Sequence, residues 1–348
     1  MQRIRHAARL AVDGETETFY PEAVRKSLVR RLGDHALHLV RFGEVDTSYY
    51  VFASDLVSNP RPIPYPEFRR IRDLRNAVPT QGGYTYVCLL RDKYLFGLLA
   101  RSLGYATPRT IARLHRDHID WTDHRGRRAF ESLGDEDLDG FAKRLSGEGG
   151  KGAFSLRVRD GAVDIDGAPT DLEAVQRRLD RPFLLQERVA QHPALARLHP
   201  ASLNTFRIMT VLEGGVARPF ATILRIGVRN AVQDNASSGG VSVWVDRDTC
   251  RTQGRGFVRR ADVGWIETHP DTDVALDGIE VPFVETCIEV ACRFHEDLPQ
   301  FYTLGWDLAM SPTEPVVIEC NDNWGARILA PVMPDFWGQF RALYDLDA

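Results

Sequence analysis

Apolar residues recur along this chain with two different spacings. Period-two stretches dominate from residue 141 onward. FAKRL leads into a glycine-rich turn, and AFSLRVR and AVDIDG flank an Asp160-Gly161 turn, which predicts a hairpin. PFLLQERV reads as a buried strand, and NTFRIMTVLEGGVARPFATILRIGV as two long strands joined at Glu213-Gly214-Gly215. SGGVSVWVD and the segment near RGFVRR add further strands. Helical spacing places Phe68, Ile71 and Leu74 on one face of residues 66–77. Lys93 opens a second helix, KYLFGLLARSLGY, with Gly104 near its end and Pro108 just beyond. DLEAVQRRL predicts a short helix, and FVETCIEVACRFHEDL sets Val284, Cys287, Ile288, Ala291 and Phe294 in one stripe. LGDHALHLVRFGEV and SYYVFASDLV look strand-like, whereas residues 113–140 are polar, lack an apolar period and read as a loop or insertion. Interleaved helices and hairpins predict an α+β fold with largely antiparallel sheets and an α/β-like N-terminal part.

The hairpin from Tyr302 to Asn323 carries the sharpest chemical signal. Folding YTLGWDLAMSPTEPVVIECNDN about Thr313 sets Trp306 opposite Cys320, Leu308 opposite Ile318 and Met310 opposite Val316, one wholly apolar face. The other face carries Gly305, Asp307, Glu319 and Asn321, with Asp307 opposite Glu319. Directly opposed side chains have Cβ atoms about 4.5–5.5 Å apart, so the two carboxylates repel unless a proton or cation lies between them. An all-oxygen set of this kind suits Mg²⁺ that also bridges to a phosphate.

Composition narrows the class. A chain of 348 residues with 43% hydrophobic content can build two or three packed layers, and a net charge of −4 argues against a nucleic-acid partner. The first twenty residues lack an apolar signal-peptide core, and no run approaches the ~18 apolar residues of a membrane span. Cys88, Cys250, Cys287, Cys292 and Cys320 are scattered, with no CxxC, and read as small buried hydrophobes in a reducing cytoplasm. The ten histidines, His115 and His118 among them, show no convincing metal-ligand spacing.

Five segments offer binding chemistry. Lys143 precedes Ser146-Gly147-Glu148-Gly149-Gly150-Lys151-Gly152, a glycine loop between strands that suits an anion cover but does not match GxxxxGK[ST]. Lys93 stands at the mouth of a helix, where the dipole favours phosphate. Gln186, Glu187 and Val189 close a buried strand whose backbone edge could read a base. Arg207 and Arg225 lie inside apolar strands and require anionic partners, with Arg229 close by. Asn235 to Gly240, including Ser238 and Gly239, supplies backbone donors for a carboxylate.

In this order, DKYLFGLLARSLGYATP, FAKRLSGEGGKGAF, LLQERVAQHPALARLHPASLNTFRIMTV, NASSGGVSVWVD and GWDLAM…VVIECNDN resemble the ATP-grasp superfamily, and within it the sugar-transfer-associated branch, over roughly residues 85–325. The resemblance implies an ATP-grasp fold: an N-terminal domain (1–105), an ATP-binding lid (106–190) and a C-terminal antiparallel α+β subdomain (191–348), with ATP between the last two. It implies that Lys93 and Lys143 hold phosphates, that residues 147–152 cover them, and that Glu187 and Val189 form the adenine hinge. Asp307, Glu319 and Asn321 become Mg²⁺ ligands, and Arg207 faces the transferred phosphoryl group. The activity implied is ATP-dependent carboxylate–amine ligation through an acyl phosphate. A phosphotransferase acting on a hydroxyl and a non-catalytic nucleotide-binding regulator are the alternatives. Arg225, Arg229, Ser238, Gly239 and Gly240 suggest an anionic substrate. The expected partners are small-molecule carboxylates and amines, with neither nucleic acid nor membrane. A homodimer is in keeping with the resemblance.

Overall fold

Alternating apolar residues build two antiparallel sheets, and three helical groups cover the second. The computed structural model describes residues 19–59, 63–76, 86–147, 150, 152–229, 231, 234, 236, 239–281 and 283–346. In chain order the elements are α1 (Leu28–Phe42), α2 (Tyr65–Asn76), α3 (Cys88–Arg91), α4 (Lys93–Ser102), β1 (Thr110–Leu114), β2 (His118–Trp121), β3 (Arg127–Ala129), β4 (Leu138–Arg144), β5 (Phe154–Arg159), β6 (Ala162–Ile165), β7 (Ala168–Thr170), α5 (Leu172–Arg178), β8 (Phe183–Glu187), α6 (Pro193–Ala196), β9 (Thr205–Glu213), β10 (Val216–Ile226), β11 (Val241–Asp246), β12 (Arg251–Val258), β13 (Gly264–Ile266), α7 (Val284–Glu296), β14 (Thr303–Met310), β15 (Pro315–Asn321) and α8 (Phe336–Leu343). The first sheet runs β3-β2-β1-β8-β4-β5-β6-β7 and the second β13-β12-β11-β10-β9-β14-β15.

Each sheet has its own core. Ala112, Leu114, Phe154, Leu156 and Phe183 pack under the first. On one face of the second, Phe206, Leu224, Leu304 and Trp306 meet Phe96 of α4 and the stripe Val284, Cys287, Ala291 and Phe294 of α7. On the other face, Met209, Ala221 and Ile223 meet Phe68 of α2, Trp324 and Phe340 of α8. Gly305 permits this second packing, because a Cβ there would stand 2.8 Å from the Cβ of Trp324.

Five sequence expectations need correction. Residues 32–45 are not a strand: they lie largely in α1, which Ser27 caps by accepting from the Arg30 amide and which Gly43 ends with φ 70°. Residues 48–57 form turns, not a strand. The polar stretch 113–140 holds β2, β3 and the start of β4, because Ile119 and Trp121 suffice for the buried side while Arg113, Asp120 and Arg127 satisfy one another on the other. On α2, Leu74 is exposed, and Arg72 and Asn76 are the residues buried with Phe68. Among the cysteines, only Cys287 and Cys320 are buried, while Cys88 is exposed.

The terminal hairpin keeps its expected register where the chemistry lies and loses it beyond. Gly305 pairs with Asn321, Trp306 with Cys320 and Asp307 with Glu319. A bulge at Ile318 then shifts the ladder, so that Leu308 meets Val317 and Met310 meets Pro315, in place of the expected Ile318 and Val316.

A buried relay locks α7 to this sheet. The Trp306 indole donates to Thr210 Oγ1 (2.8 Å), the Thr210 hydroxyl meets His295 Nδ1 (2.7 Å), and His295 Nε2 donates to Phe301 O (3.0 Å). Burial lowers His295 to about 4, so it stays neutral and can accept from the threonine. Thr210→Val would leave two buried polar groups without partners. We expect it to cost about 2–4 kcal/mol, read as a lower urea midpoint at unchanged slope.

Candidate active site

A cavity of about 500 Å³ opens between the sheets. Phe141 and Lys143 of β4 and Gln186 and Glu187 of β8 form one wall, and Arg225, Asp307, Ile318 and Glu319 form the other. The bulge that broke the expected register places Ile318 in this wall beside Glu319. Arg188–Gln191 and Pro200–Leu203 connect the two sides.

The second wall is a chain of alternating charges. Cross-strand pairing sets Arg207 beside Asp307 and Asp307 beside Glu319 in one row. The Arg207 guanidinium grips both Asp307 oxygens, with Nη2 donating to Oδ2 at 2.8 Å. Arg225 reaches Asp307 Oδ1 at 3.2 Å and Asp234 Oδ1 at 2.8 Å. Asp234 also accepts from the Thr205 amide (2.8 Å) and from the Thr205 hydroxyl. Burial alone would raise the Asp307 carboxyl, but Arg207 and Arg225 outweigh it and hold it near 2. Asp234 is equally buried and has a single guanidinium, so its carboxyl lies above the usual range.

Lys143 of β4 and Lys93 at the start of α4 supply ammonium groups. Asp92 caps α4 by accepting from the Tyr94 and Leu95 amides, which fixes Lys93 at its first turn. Lys93 Nζ donates to Gly147 O (2.9 Å) and lies 3.7 Å from Glu319, tying the glycine loop to the opposite sheet. Arg91 holds Asp322 through two hydrogen bonds of 2.9 and 2.7 Å and braces the same junction. Burial depresses Lys143 to about 8, opposed by Glu319 and assisted by Lys93. Lys93, Lys143, Arg144, Arg188 and Arg225 line the cavity against Asp139, Glu187, Asp234, Asp307 and Glu319, five against five, and Arg207, paired with Asp307, adds one positive charge.

Other expected residues fall into place unevenly. Gly147, Gly150, Gln186, Glu187 and Val189 line the cavity. Glu187 pairs with Arg109 at the rim, and Gln186 donates to Pro108 O (3.2 Å). Neither Val189 nor Ala190 makes a main-chain hydrogen bond among the described residues, so a polar edge stays open there. Asn321 lies on the face of Asp307 and Glu319, 3.4 Å from Glu319 Oε1, but outside the cavity lining. Arg229, Gly239 and Gly240 do not line it. Arg229 is exposed, with its carbonyl bound by His199 (2.6 Å). Glu148, Gly149, Lys151 and Ser238 lie outside the described residues.

Sequence reading overlooked Asp234, Ser202, Thr205 and Ile318. Arg225 did signal Asp234, since a buried guanidinium in an apolar strand demands a nearby acid, but the acid's identity depends on how the chain returns after β10.

The donor chemistry fits a hard divalent cation. Asp307 Oδ1 receives both arginines and Oδ2 receives Arg207, and Asp307 lies directly beside the Glu319 carboxylate. The Glu319 carboxylate adds further hard oxygens, as Mg²⁺ prefers, and Asn321, whose Nδ2 faces Glu319 Oε1 at 3.4 Å, would contribute its amide oxygen after a side-chain flip.

Two antiparallel sheets enclose a cavity lined by acidic and basic side chains in equal number. The chain belongs to the sugar-transfer associated ATP-grasp family, which it matches over residues 81–332. No curated protein matches it. Among solved structures it is similar to the L-amino acid ligase from Bacillus licheniformis, at 12% identity and TM-score 0.39, over 71% of this chain and 44% of that one. It is similar also to the D-alanine–D-alanine ligase from Bacillus anthracis complexed with ATP, at 14% identity and TM-score 0.40, over 74% and 65%. The chain spans less than two thirds of either protein.

Lys143 gives the cavity a pH signature. Its ammonium is present below about 8 and lost above it, while a bound polyphosphate favours the charged form. ATP affinity should therefore fall by up to tenfold per pH unit above 8. Binding at pH 8 should take up a fraction of a proton, measured as the dependence of calorimetric enthalpy on buffer ionisation heat. Lys143→Met should abolish that uptake.

Proposed function

We propose that this protein is an ATP-dependent carboxylate–amine ligase. The observation that carries the reading is Lys143 on one wall facing Asp307 and Glu319 on the other, with Lys93 at the start of α4 lying 3.7 Å from Glu319 and bound to Gly147 of the glycine loop. Ammonium groups and carboxylates on facing sheets suit a polyphosphate accompanied by Mg²⁺, and two lysines alone would suit a bare anion.

In this reading the open backbone at Val189 and Ala190 pairs with the adenine edge, beside Ile318 and Phe141. Lys93 and Lys143 neutralise phosphate oxygens, and the loop through Gly147 and Gly150 covers them and excludes water. Asp307, Glu319 and Asn321 would hold Mg²⁺, which supplies charge neutralisation at the β- and γ-phosphates. Arg207 and Arg225 keep Asp307 ionised and aimed, and offer positive charge to the transferred phosphoryl group.

The substrate carboxylate attacks the γ-phosphorus, the bond to the β-phosphate oxygen breaks, and ADP departs. The amine then attacks the acyl carbon and expels inorganic phosphate, forming the amide. The protein contributes position and electrostatics, with no covalent intermediate of its own.

Glu319→Gln and Asp307→Asn should each lower ADP release at least ~100-fold across a panel of amino acids and sugar acids supplied with amines; the thermal melt should stay close to wild type for Glu319→Gln and fall for Asp307→Asn, which strands Arg207 and Arg225. Normal turnover by both variants would refute the metal assignment. Stoichiometric inorganic phosphate marks a ligase, whereas phosphate retained on the product marks a phosphotransferase.

A further inference from the structure

Helix α1 is built inside out. The side it turns toward the protein carries Arg31, His35 and His38, all buried, with Asp34 bound by Lys26 and Tyr49 at 2.7 Å each. The side it turns to water carries Val29, Leu32, Gly33, Ala36, Leu37 and Val40. Val29 is 78% exposed, Leu37 68% and Val40 85%. A helix on the surface of a monomer normally shows the reverse polarity, and a continuous apolar stripe in water marks a contact surface.

The stripe has an internal symmetry. Its centre line runs through residues 29, 33, 36 and 40, with intervals of four, three and four, the spacing of a two-helix seam. Read backwards, the intervals are unchanged. A second α1 lying antiparallel across a two-fold axis between positions 34 and 35 therefore sets Val29 against Val40 and Gly33 against Ala36. Such self-complementarity is what an isologous dimer requires.

Gly33 supports the same pairing independently. A Cβ at this position would meet nothing within 4 Å, so no contact within the chain calls for glycine. Glycine in a helix interior is nevertheless unfavourable relative to alanine. A second backbone passing close over positions 33 and 36 supplies the missing reason, since small residues let helix axes approach to about 8 Å.

We infer that α1 is the interface of a two-fold dimer of this chain, packed antiparallel against its own copy. The seam from Val29 to Val40 is about 17 Å long, with Leu28, also exposed, beside its N-terminal end. That is small beside the ~800 Å² per partner of a standard interface, so the dimer forms in the micromolar range.

Sedimentation equilibrium of the full chain from about 1 to about 100 µM tests this. The wild type should show a reversible dimer. Val29→Lys and Val40→Glu should each weaken it at least tenfold with unchanged circular-dichroism melts, since both positions point into water. The two substitutions together should restore much of the loss, because antiparallel pairing brings their opposite charges face to face, whereas parallel pairing would oppose like charges. A wild type that stays monomeric overturns the proposal. So does a dimer indifferent to Val40→Glu, or a double variant no better than the singles. Association that appears only after deletion of residues 2–18 also overturns it, by showing that the chain's own N-terminus covers the stripe.

Discussion

The linked ion pairs Arg207–Asp307–Arg225–Asp234 are the constraint around which the second sheet is organised. Buried ion pairs add little stability over apolar packing of equal volume, because desolvation offsets their attraction. Once buried, though, each charge depends on its neighbours, and losing one strands the next. The register of β9 with β14, the reach of β10 and the return through Asp234 must therefore all hold together. The apolar layers of α4 and α7 on one face, and of α2 and α8 on the other, supply the packing that keeps those strands in place. What the arrangement yields is a carboxylate fixed in one orientation and ionised far below neutrality, which suits cation binding more than stability.

The two walls divide the electrostatic work. Asp307 is charge-balanced before any ligand arrives, whereas Lys143 is not: it is buried, its ammonium is disfavoured, and its opposing carboxylate lies across the cavity. An arriving polyphosphate relieves that mismatch on the first wall without disturbing the pairs on the second. The Lys93–Gly147 hydrogen bond ties the start of the glycine loop to the same group of charges.

What could be read from sequence follows the reach of local patterns. Long strands with clean alternation (β9, β10, β14) and the stripe of α7 announce themselves, because one face of each is continuously apolar. Asp307 and Glu319 face each other as expected only because the bulge at Ile318 offsets a ladder that starts one residue out of register at the turn. The register beyond Glu319 was not legible, because a bulge costs only one extra residue and leaves no compositional trace. Asp234 was hidden for a different reason: its role depends on a long return between β10 and β11, and loop paths are set by tertiary contacts. Strands β2 and β3 escaped because their outer faces are satisfied by Arg113, Asp120 and Arg127, so the polar pattern mimicked a loop.

Helix α1 defeated pattern reading in a more informative way. HALHLV is dense in apolar residues and looks strand-like, yet the segment is helical, bounded by a serine cap and a left-handed glycine. The helical period is present, but its apolar side points away from the chain's own cores. Period alone cannot distinguish a helix that serves its own core from one that serves a neighbouring surface. Local rules that agree with one another and disagree with the fold locate sites where selection acted on something besides the monomer's stability. The bulge at Ile318 is of the same kind: it interrupts an otherwise regular ladder at the one point where a side chain must enter the cavity. Both departures sit on elements that are otherwise well formed, and each turns an apolar side chain toward space that the isolated chain leaves unfilled.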